Sequence, residues 1–290
     1  MHDDEAVIDE ALVRRLLASQ HPAYADLPLD PVVEVGTDNA MYRLGDDLAV
    51  RLPRIPSAGL QAEKEQAWLP LVAAALPLPA PVPVAYGVPQ DEYPYLWSVC
   101  PWLPGRAETV GPESAAADLA AFVRALWEVD PTGGPGPGDH NFGRGRPLAH
   151  RDARLREALA ELDGVMDTAP MAALWEECLD APAWDGEPRW VHGDLHGGNV
   201  LVDGGRVTGV IDWGGLGVGD PATDVMLAWT YLPASARQAF RDAVGADDAM
   251  WARGRGWALS VGAIAMPYYL ERAPRIAALS RRYVEESLAG

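Results

Sequence analysis

The chain has 290 residues, 49% of them hydrophobic and 22% charged, a composition that excludes a peptide module, a disordered tail and a fibrous repeat. Forty-two acidic against 23 basic residues give a formal charge of −19, which repels phosphate backbones and anionic lipid heads and so argues against nucleic-acid and membrane partners. Cys100 and Cys178 form no framework, the Met-His-Asp-Asp-Glu start is acidic where a leader is basic, and no apolar run reaches about 18 residues, which together point to a reduced, cytoplasmic setting.

Apolar residues Val7, Ile8, Leu12, Leu16 and Leu17 recur at helical spacing, predicting an amphipathic helix between Asp4 and Ser19. Val32 to Val35, Ala40 to Leu44 and Leu48 to Leu52 then read as three antiparallel strands, punctuated by Gly36-Thr37-Asp38-Asn39 and Gly45-Asp46-Asp47. Gln61 to Ala75 returns to a helical pattern, with Glu63, Lys64 and Glu65 in its first turns. Pro77, Pro79, Pro81 and Pro83 forbid a helix after it. Tyr95 to Val99 reads as a buried strand and Pro101-Trp102-Leu103-Pro104-Gly105 as a connector, so a lobe boundary is expected near residue 101. Beyond it, helices are predicted over Ser114 to Val129, Arg151 to Leu162 and Met171 to Leu179, and from Pro221 onward. Pro131 to Pro147 is a Gly/Pro-rich loop of a length that usually signals function or mobility.

Residues 190–213 carry the chemistry: Trp-Val-His-Gly-Asp-Leu-His-Gly-Gly-Asn-Val-Leu-Val-Asp-Gly-Gly-Arg-Val-Thr-Gly-Val-Ile-Asp-Trp. Gly204-Gly205 between two apolar β-runs is a favoured hairpin turn. With those two as the turn, Asn199 lies opposite Val210 and is the diagonal neighbour of Asp212, roughly 7 to 8 Å away. An amide and a carboxylate, both oxygen donors, favour Mg²⁺, whose remaining positions are filled by water and phosphate oxygens. Asp194 reaches the same place as a group that accepts or orients a hydroxyl proton. Turn chemistry alone also accounts for Asn, Asp and Gly in such a stretch, but His192-Gly193 and the Ile211-Asp212-Trp213 context weigh against it.

These residues resemble the aminoglycoside phosphotransferase family, relatives of the eukaryotic protein kinases. His192, Gly193, Asp194 and Asn199 meet the HGDxxxxN loop, and Asp212 meets the metal-binding aspartate after a hairpin. The resemblance implies an α+β, bilobal protein-kinase-like fold, with a small N-terminal lobe (1–101) built on an antiparallel sheet and a larger, mostly helical C-terminal lobe (102–290). It implies Mg²⁺ and ATP or GTP between the lobes, with the γ-phosphoryl group passing to a small-molecule hydroxyl. Asp194 is then the catalytic base, Asn199 and Asp212 hold the metal, and Asp224, one turn into the helix started by Asp220-Pro221, holds the loop's backbone. His192 reads as a core histidine bracing the loop, and His196 has no assigned task.

Kinase-like folds place a lysine on the third strand, yet the lone lysine of this chain is Lys64. The resemblance therefore gives the phosphate-bridging role to Arg51, with Glu65 as partner and Glu63 as alternative; an Arg fork binds phosphate oxygens bidentately and keeps its charge. Thr37 and Asn39 fall in the phosphate-covering loop. Cys100 and Trp102 offer backbone to the base, and Val50 and Ile211 sandwich its faces. Plain turn or core roles account for these last six equally well.

The acceptor is less legible. An acidic protein suits a cationic aminoglycoside, the leading expectation, whereas the C-terminal aromatics Trp251, Trp257, Tyr268 and Tyr269 suit a bulkier apolar acceptor such as a macrolide or are simply core. A peptide antibiotic or a choline-, homoserine- or sugar-like metabolite, and a non-catalytic binder motivated by the missing strand lysine, remain alternatives. The chain is expected to act as a monomer or weak homodimer.

Overall fold

The structure, a computed structural model, describes residues 6–32 and 38–290. The expected strand from Val33 onward, Gly36 and the candidate Thr37 lie outside the described residues.

The first helix, α1 (Glu10–Gln20), starts later than its periodicity suggests. Asp9 is extended and its carboxylate accepts the Leu12 N–H at 2.7 Å, an N-cap that sets the first turn, and Val7 is left exposed before it. Five strands follow: β1 (Leu29–Pro31), β2 (Asn39–Leu44), β3 (Leu48–Pro53), β4 (Ala85–Gly87) and β5 (Trp97–Pro101). They form one antiparallel sheet in the order β1-β2-β3-β5-β4. Leu12, Leu16 and Leu17 pack with Leu44, Val50, Leu52 and Val99 into the first hydrophobic core.

Between β3 and β4 runs α2 (Pro56–Ala73). It begins five residues before Gln61 because Pro56 takes the first helical position, where its fixed φ is preorganised and its missing N–H is no loss. Lys64 and Glu65 therefore sit in mid-helix, both buried, while Glu63 is exposed. Leu69 and Val72 of the same helix join the second core, to which residues before 101 thus contribute.

The rest is mostly helical. The chain continues through β6 (Arg106–Ala107), α3 (Ala115–Glu128), α4 (Asp152–Glu161), α5 (Ala169–Leu179), β7 (Arg189–Val191), β8 (Val200–Asp203), β9 (Arg206–Val210), β10 (Gly217–Gly219), α6 (Ala222–Val225), α7 (Leu227–Thr230), α8 (Ala234–Val244), α9 (Asp248–Arg272) and α10 (Pro274–Ala289). Trp175, Trp190, Trp213, Trp229 and Trp257 are fully buried in the second core, each a side chain whose truncation to Ala costs roughly 3–5 kcal/mol. Among the described residues no helix is long and apolar enough to cross a membrane.

The β8–β9 hairpin turns at Gly204 and Gly205, with φ of 55° and 77°, values that suit the positive φ a tight hairpin turn demands. Its register departs from the simple ladder. Val202 pairs Val207 but Leu201 pairs Gly209, which leaves Thr208 as an extra residue whose hydroxyl donates to the Pro104 carbonyl at 2.7 Å. This bulge moves the pairing on by one. Asn199 consequently stands opposite Ile211, whose N–H it accepts at 2.9 Å, and not opposite Val210.

Candidate active site

Asp194 lies in the loop between β7 and β8, and that loop hangs from α6. The Asp224 carboxylate, fully buried, accepts the His192 N–H at 2.9 Å and the Gly193 N–H at 2.8 Å. His192 is equally buried. Its Nδ1 accepts the Asp194 N–H at 3.2 Å, so the ring proton sits on Nε2 and is donated to the Ile211 carbonyl at 3.1 Å. Burial pushes the imidazole down to about 4. A neutral histidine thus ties the loop to the strand end that leads to Asp212.

The Asp194 side chain keeps 28% of its surface open, enough for a hydroxyl to reach. Its Oδ1 pairs with Arg144 Nη2 at 3.0 Å and its Oδ2 with His196 Nε2 at 3.3 Å. The Gly198 N–H donates to His196 Nδ1 at 2.9 Å, so Nε2 carries the proton and donates to the carboxylate. Burial raises the Asp194 carboxyl, but His196 and Arg144 outweigh it and hold the group well below the usual carboxylate range. The carboxylate is therefore charged and is held from both sides by hydrogen-bond donors.

Asn199 Nδ2 donates to the Asp194 carbonyl at 2.9 Å, which turns its Oδ1 the other way. Asp212 follows β9 at φ 61°, a left-handed conformation that Asp tolerates and that marks functional turns. Its side chain is half exposed and accepts the Gly214 N–H at 3.4 Å. The amide oxygen of the buried Asn199 and the half-exposed Asp212 carboxylate are hard donors of the kind that suit Mg²⁺ completed by water and phosphate. Among the described residues no three His, Cys, Asp or Glu side chains form a metal cage.

On the other wall, Arg51 of β3 forms an ion pair with Glu65 of α2 and approaches Asp212 Oδ1 at 3.7 Å. Burial works against the guanidinium charge, but Glu65 and Asp212 overcome it and raise Arg51 above its ordinary range. Glu63 faces solvent and takes no part. Period-two alternation of the strand corrects one expectation. Val50 points away from Arg51 into the first core, whereas Ala49 shares the Arg51 face and pairs across the sheet with Cys100. Ala49, not Val50, thus stands on the face that carries Arg51. Cys100 is buried, which raises its thiol to about 11. The Trp102 N–H already donates to the Asp47 carbonyl at 2.8 Å, and its ring carries the Arg43 guanidinium at 4.4 Å. Trp102 therefore cannot offer that N–H to a base. Ile211 is half-buried beside the site, and Asn39 opens β2 opposite Pro53.

Three residues escaped the sequence reading. His196 sat in the motif without a task, and its position two residues after Asp194 in a tight loop was the available signal. Lys64 is buried and donates to the His140 and Gly214 carbonyls at 3.0 and 2.7 Å, lashing α2 to the segment after Asp212. Burial lowers its amine to about 8. Arg144 comes from the long Gly/Pro-rich loop, and nothing local in the sequence marks it.

The chain was compared with known proteins. The profile of the phosphotransferase enzyme family matches residues 31–257. An uncharacterized Bacillus subtilis protein, YcbJ, is 45% identical over 58 residues, 19% of either chain. An Escherichia coli aminoglycoside 3'-phosphotransferase is 26% identical over 123 residues, 41% of this chain and 44% of its own. The matched stretch thus spans less than half the length of these curated relatives. Among solved structures, the GDP and kanamycin complex of APH(2'')-IIIa superposes with a TM-score of 0.74 at 18% identity, over 97% of this chain and 99% of the other. Macrolide 2'-phosphotransferase MphH from Brachybacterium faecium gives 0.64 at 24% identity, over 95% and 96%. Both share the bilobal α+β fold.

Proposed function

Because the chain belongs to the phosphotransferase enzyme family, we propose that it moves the γ-phosphoryl group of a Mg-nucleotide, ATP or GTP, onto a hydroxyl of a small molecule. One observation carries this reading. The chain of contacts Glu65–Arg51–Asp212 meets, through the Ile211–Asn199 backbone bond, the Asn199–Asp194 pair. Nucleotide-side and acceptor-side groups are thereby joined in one place. The first lobe, 1–101, supplies Arg51, Glu65, Ala49 and Cys100 to the nucleotide, and the second, 102–290, supplies the acceptor side. Asn199 and Asp212 would hold Mg²⁺, which when bound neutralises charge on the phosphates. Asp194 orients the acceptor hydroxyl, whose oxygen bonds to phosphorus as the bridge to the nucleoside diphosphate breaks, and the hydroxyl proton passes to Asp194. Such a reaction needs the nucleotide pool of the cytoplasm, where we place the protein.

For the acceptor, the 26%-identical relative and the charge of −19 favour an aminoglycoside. A second reading, a largely uncharged antibiotic of macrolide type, is favoured by a specific observation. The guanidinium groups of Arg144 and Arg151 flank one Trp257 ring at 5.6 and 4.9 Å, and burial followed by repulsion from Arg144 lowers Arg151 to about 9. Two cations beside Asp194 stand where a polycationic acceptor would need carboxylates. Purified protein incubated with Mg-ATP or Mg-GTP against kanamycin, gentamicin, erythromycin and choline tests this. Nucleoside diphosphate release together with a product heavier by one phosphoryl group is the expected result, and its absence from every acceptor removes the reading.

A further inference from the structure

The loop from Pro131 to Pro147 looks like a tether in sequence, yet its backbone is tied down along its length. The Val218 N–H donates to the Pro135 carbonyl at 2.8 Å. Asn141, fully buried, accepts the Gly138 N–H at 3.0 Å and donates to the Arg144 carbonyl at 3.1 Å. Lys64 holds the His140 carbonyl. On the far side of Arg144, the Gly145 N–H donates to the Thr223 hydroxyl at 3.1 Å, and the Gly145 carbonyl accepts the Asp220 N–H at 2.8 Å. Phe142 is held at φ 56° with its ring half in solvent, a left-handed conformation that is strained for an aromatic residue.

What this fixed arm presents is one side chain. Arg144 is 8% exposed, and its Nη2 meets Asp194 Oδ1 while its Nε and Nη1 are buried with no acceptor among the described residues. Two orphaned donors beside a strained residue make a poor stabilising device, since each unsatisfied buried donor destabilises the fold. Departures from local rules that the surrounding structure nonetheless enforces are the mark of a functional placement.

We propose that Arg144 is a positioning residue for phosphoryl transfer: the pinned loop holds its guanidinium against one carboxylate oxygen of Asp194 while His196 holds the other, so that the carboxylate is fixed in aim toward the acceptor hydroxyl. Reacting groups tolerate little displacement, and an error of about 1 Å costs about 10²-fold in rate. Arg144 acts through Asp194, the group it contacts. This inference rests on the phosphotransferase reading above.

The test compares Arg144→Gln, Arg144→Lys and Asp194→Asn with the wild-type chain for kcat, acceptor KM and Mg-nucleotide Kd, using adenylyl imidodiphosphate for binding and the best acceptor of the panel for turnover. The expected result for R144Q is a kcat lower by about 10²-fold, with nucleotide Kd within about twofold and acceptor KM little changed, and R144K recovering part of the rate. A structural role alone would lower thermal stability and leave kcat of the folded protein intact. If D194N is inactive and both Arg144 variants turn over at the wild-type rate, this inference fails by itself. If D194N turns over at the wild-type rate, or the wild-type chain transfers to nothing, the phosphotransferase reading fails and carries this one with it. Should R144Q not fold, Thr223→Val cuts the loop's tie at Gly145 without touching Asp194, and unchanged kcat in that variant and in R144K overturns the proposal.

Discussion

The Gly193 N–H reaches the Asp224 carboxylate at 2.8 Å, and through that bond the loop carrying Asp194 is suspended from a helix of the second core. Burial raises the Asp224 carboxyl to about 7, against the pull of its two backbone donors. A folded-state value above the ordinary 3.8 means that the folded protein holds this proton more tightly than the unfolded chain. The contribution is therefore present below about pH 4 and is lost as pH rises through about 7. Asp224→Asn keeps the shape but turns an amide N–H₂ toward a backbone donor, which costs about 1–3 kcal/mol. Urea denaturation should show D224N less stable than wild type near pH 5, with the gap narrowing by pH 8. A gap that widens with pH would contradict the assignment.

His192 runs the other way. Its folded value of about 4 lies below the 6.5 of a free imidazole because burial disfavours the cation, so the unfolded chain binds the extra proton between those values. Stability from this group is present above about pH 6.5 and is lost as pH falls toward 4, by about 3 kcal/mol. The Asp224 effect overlaps and partly cancels it in the wild-type profile. A His192→Gln variant removes only the His192 slope, and the difference between the two denaturation profiles should grow steadily across that window. Parallel profiles would mean that the ring takes up its proton equally readily in the folded and the unfolded chain.

Arg51→Ala removes the cation proposed to face the phosphates and leaves Glu65 buried and unpaired, with one of its carboxylate oxygens already lacking a partner. Breaking a buried pair from one side costs about 3–5 kcal/mol of stability, so the single variant confounds folding with binding. The double variant Arg51→Ala/Glu65→Ala separates them. It should recover most of the lost stability while Mg-nucleotide affinity stays weaker by about tenfold or more, equal to about 1.4 kcal/mol. Calorimetry on both variants decides the matter, and wild-type affinity in the double variant would show that another group holds the phosphates.

How legible the site was depends on how far apart its members lie. His192, Gly193, Asp194, Asn199 and Asp212 sit within 21 consecutive positions, and a short hairpin brings them together, so spacing alone exposes them. Arg51 and Glu65 came from the resemblance, which expects a cation on the third strand and a glutamate on the helix after it. The hairpin register was misplaced because Thr208 bulges outward to reach Pro104, a contact across 104 positions that no local pattern encodes. Val50 is read onto the base as an apolar residue, although alternation from Arg51 puts it on the other face. Arg144 and Lys64 were invisible as site members because their partners, Asp194 and Gly214, are 50 and 150 residues away. The α1 start moved because a side-chain cap at Asp9 overrode apolar periodicity.

Gly193→Ala offers a test of how closely the two active-site loops must approach. The residue sits at φ 83°, where an L side chain costs roughly 1–2 kcal/mol on its own. A Cβ there would also run into the Gly215 carbonyl oxygen and stand 3.0 Å from Arg144 Cβ. Gly215 belongs to the segment that Lys64 and Asp212 hold in place from Gly214, so it cannot withdraw without disturbing the metal-side aspartate. The new methyl must instead push the Asp194 loop away from Asp224 or from Asp212. G193A should therefore lose about 2–5 kcal/mol of stability, the sum of strain and overpacking, and its kcat should drop by about 10²-fold or more even where it remains folded. Nucleotide affinity, which the proposed function assigns to Arg51 and Asp212, should change far less. A variant that folds as well as wild type and turns over normally would show that the loops have slack, and that the fixed aim attributed to Asp194 does not limit the reaction.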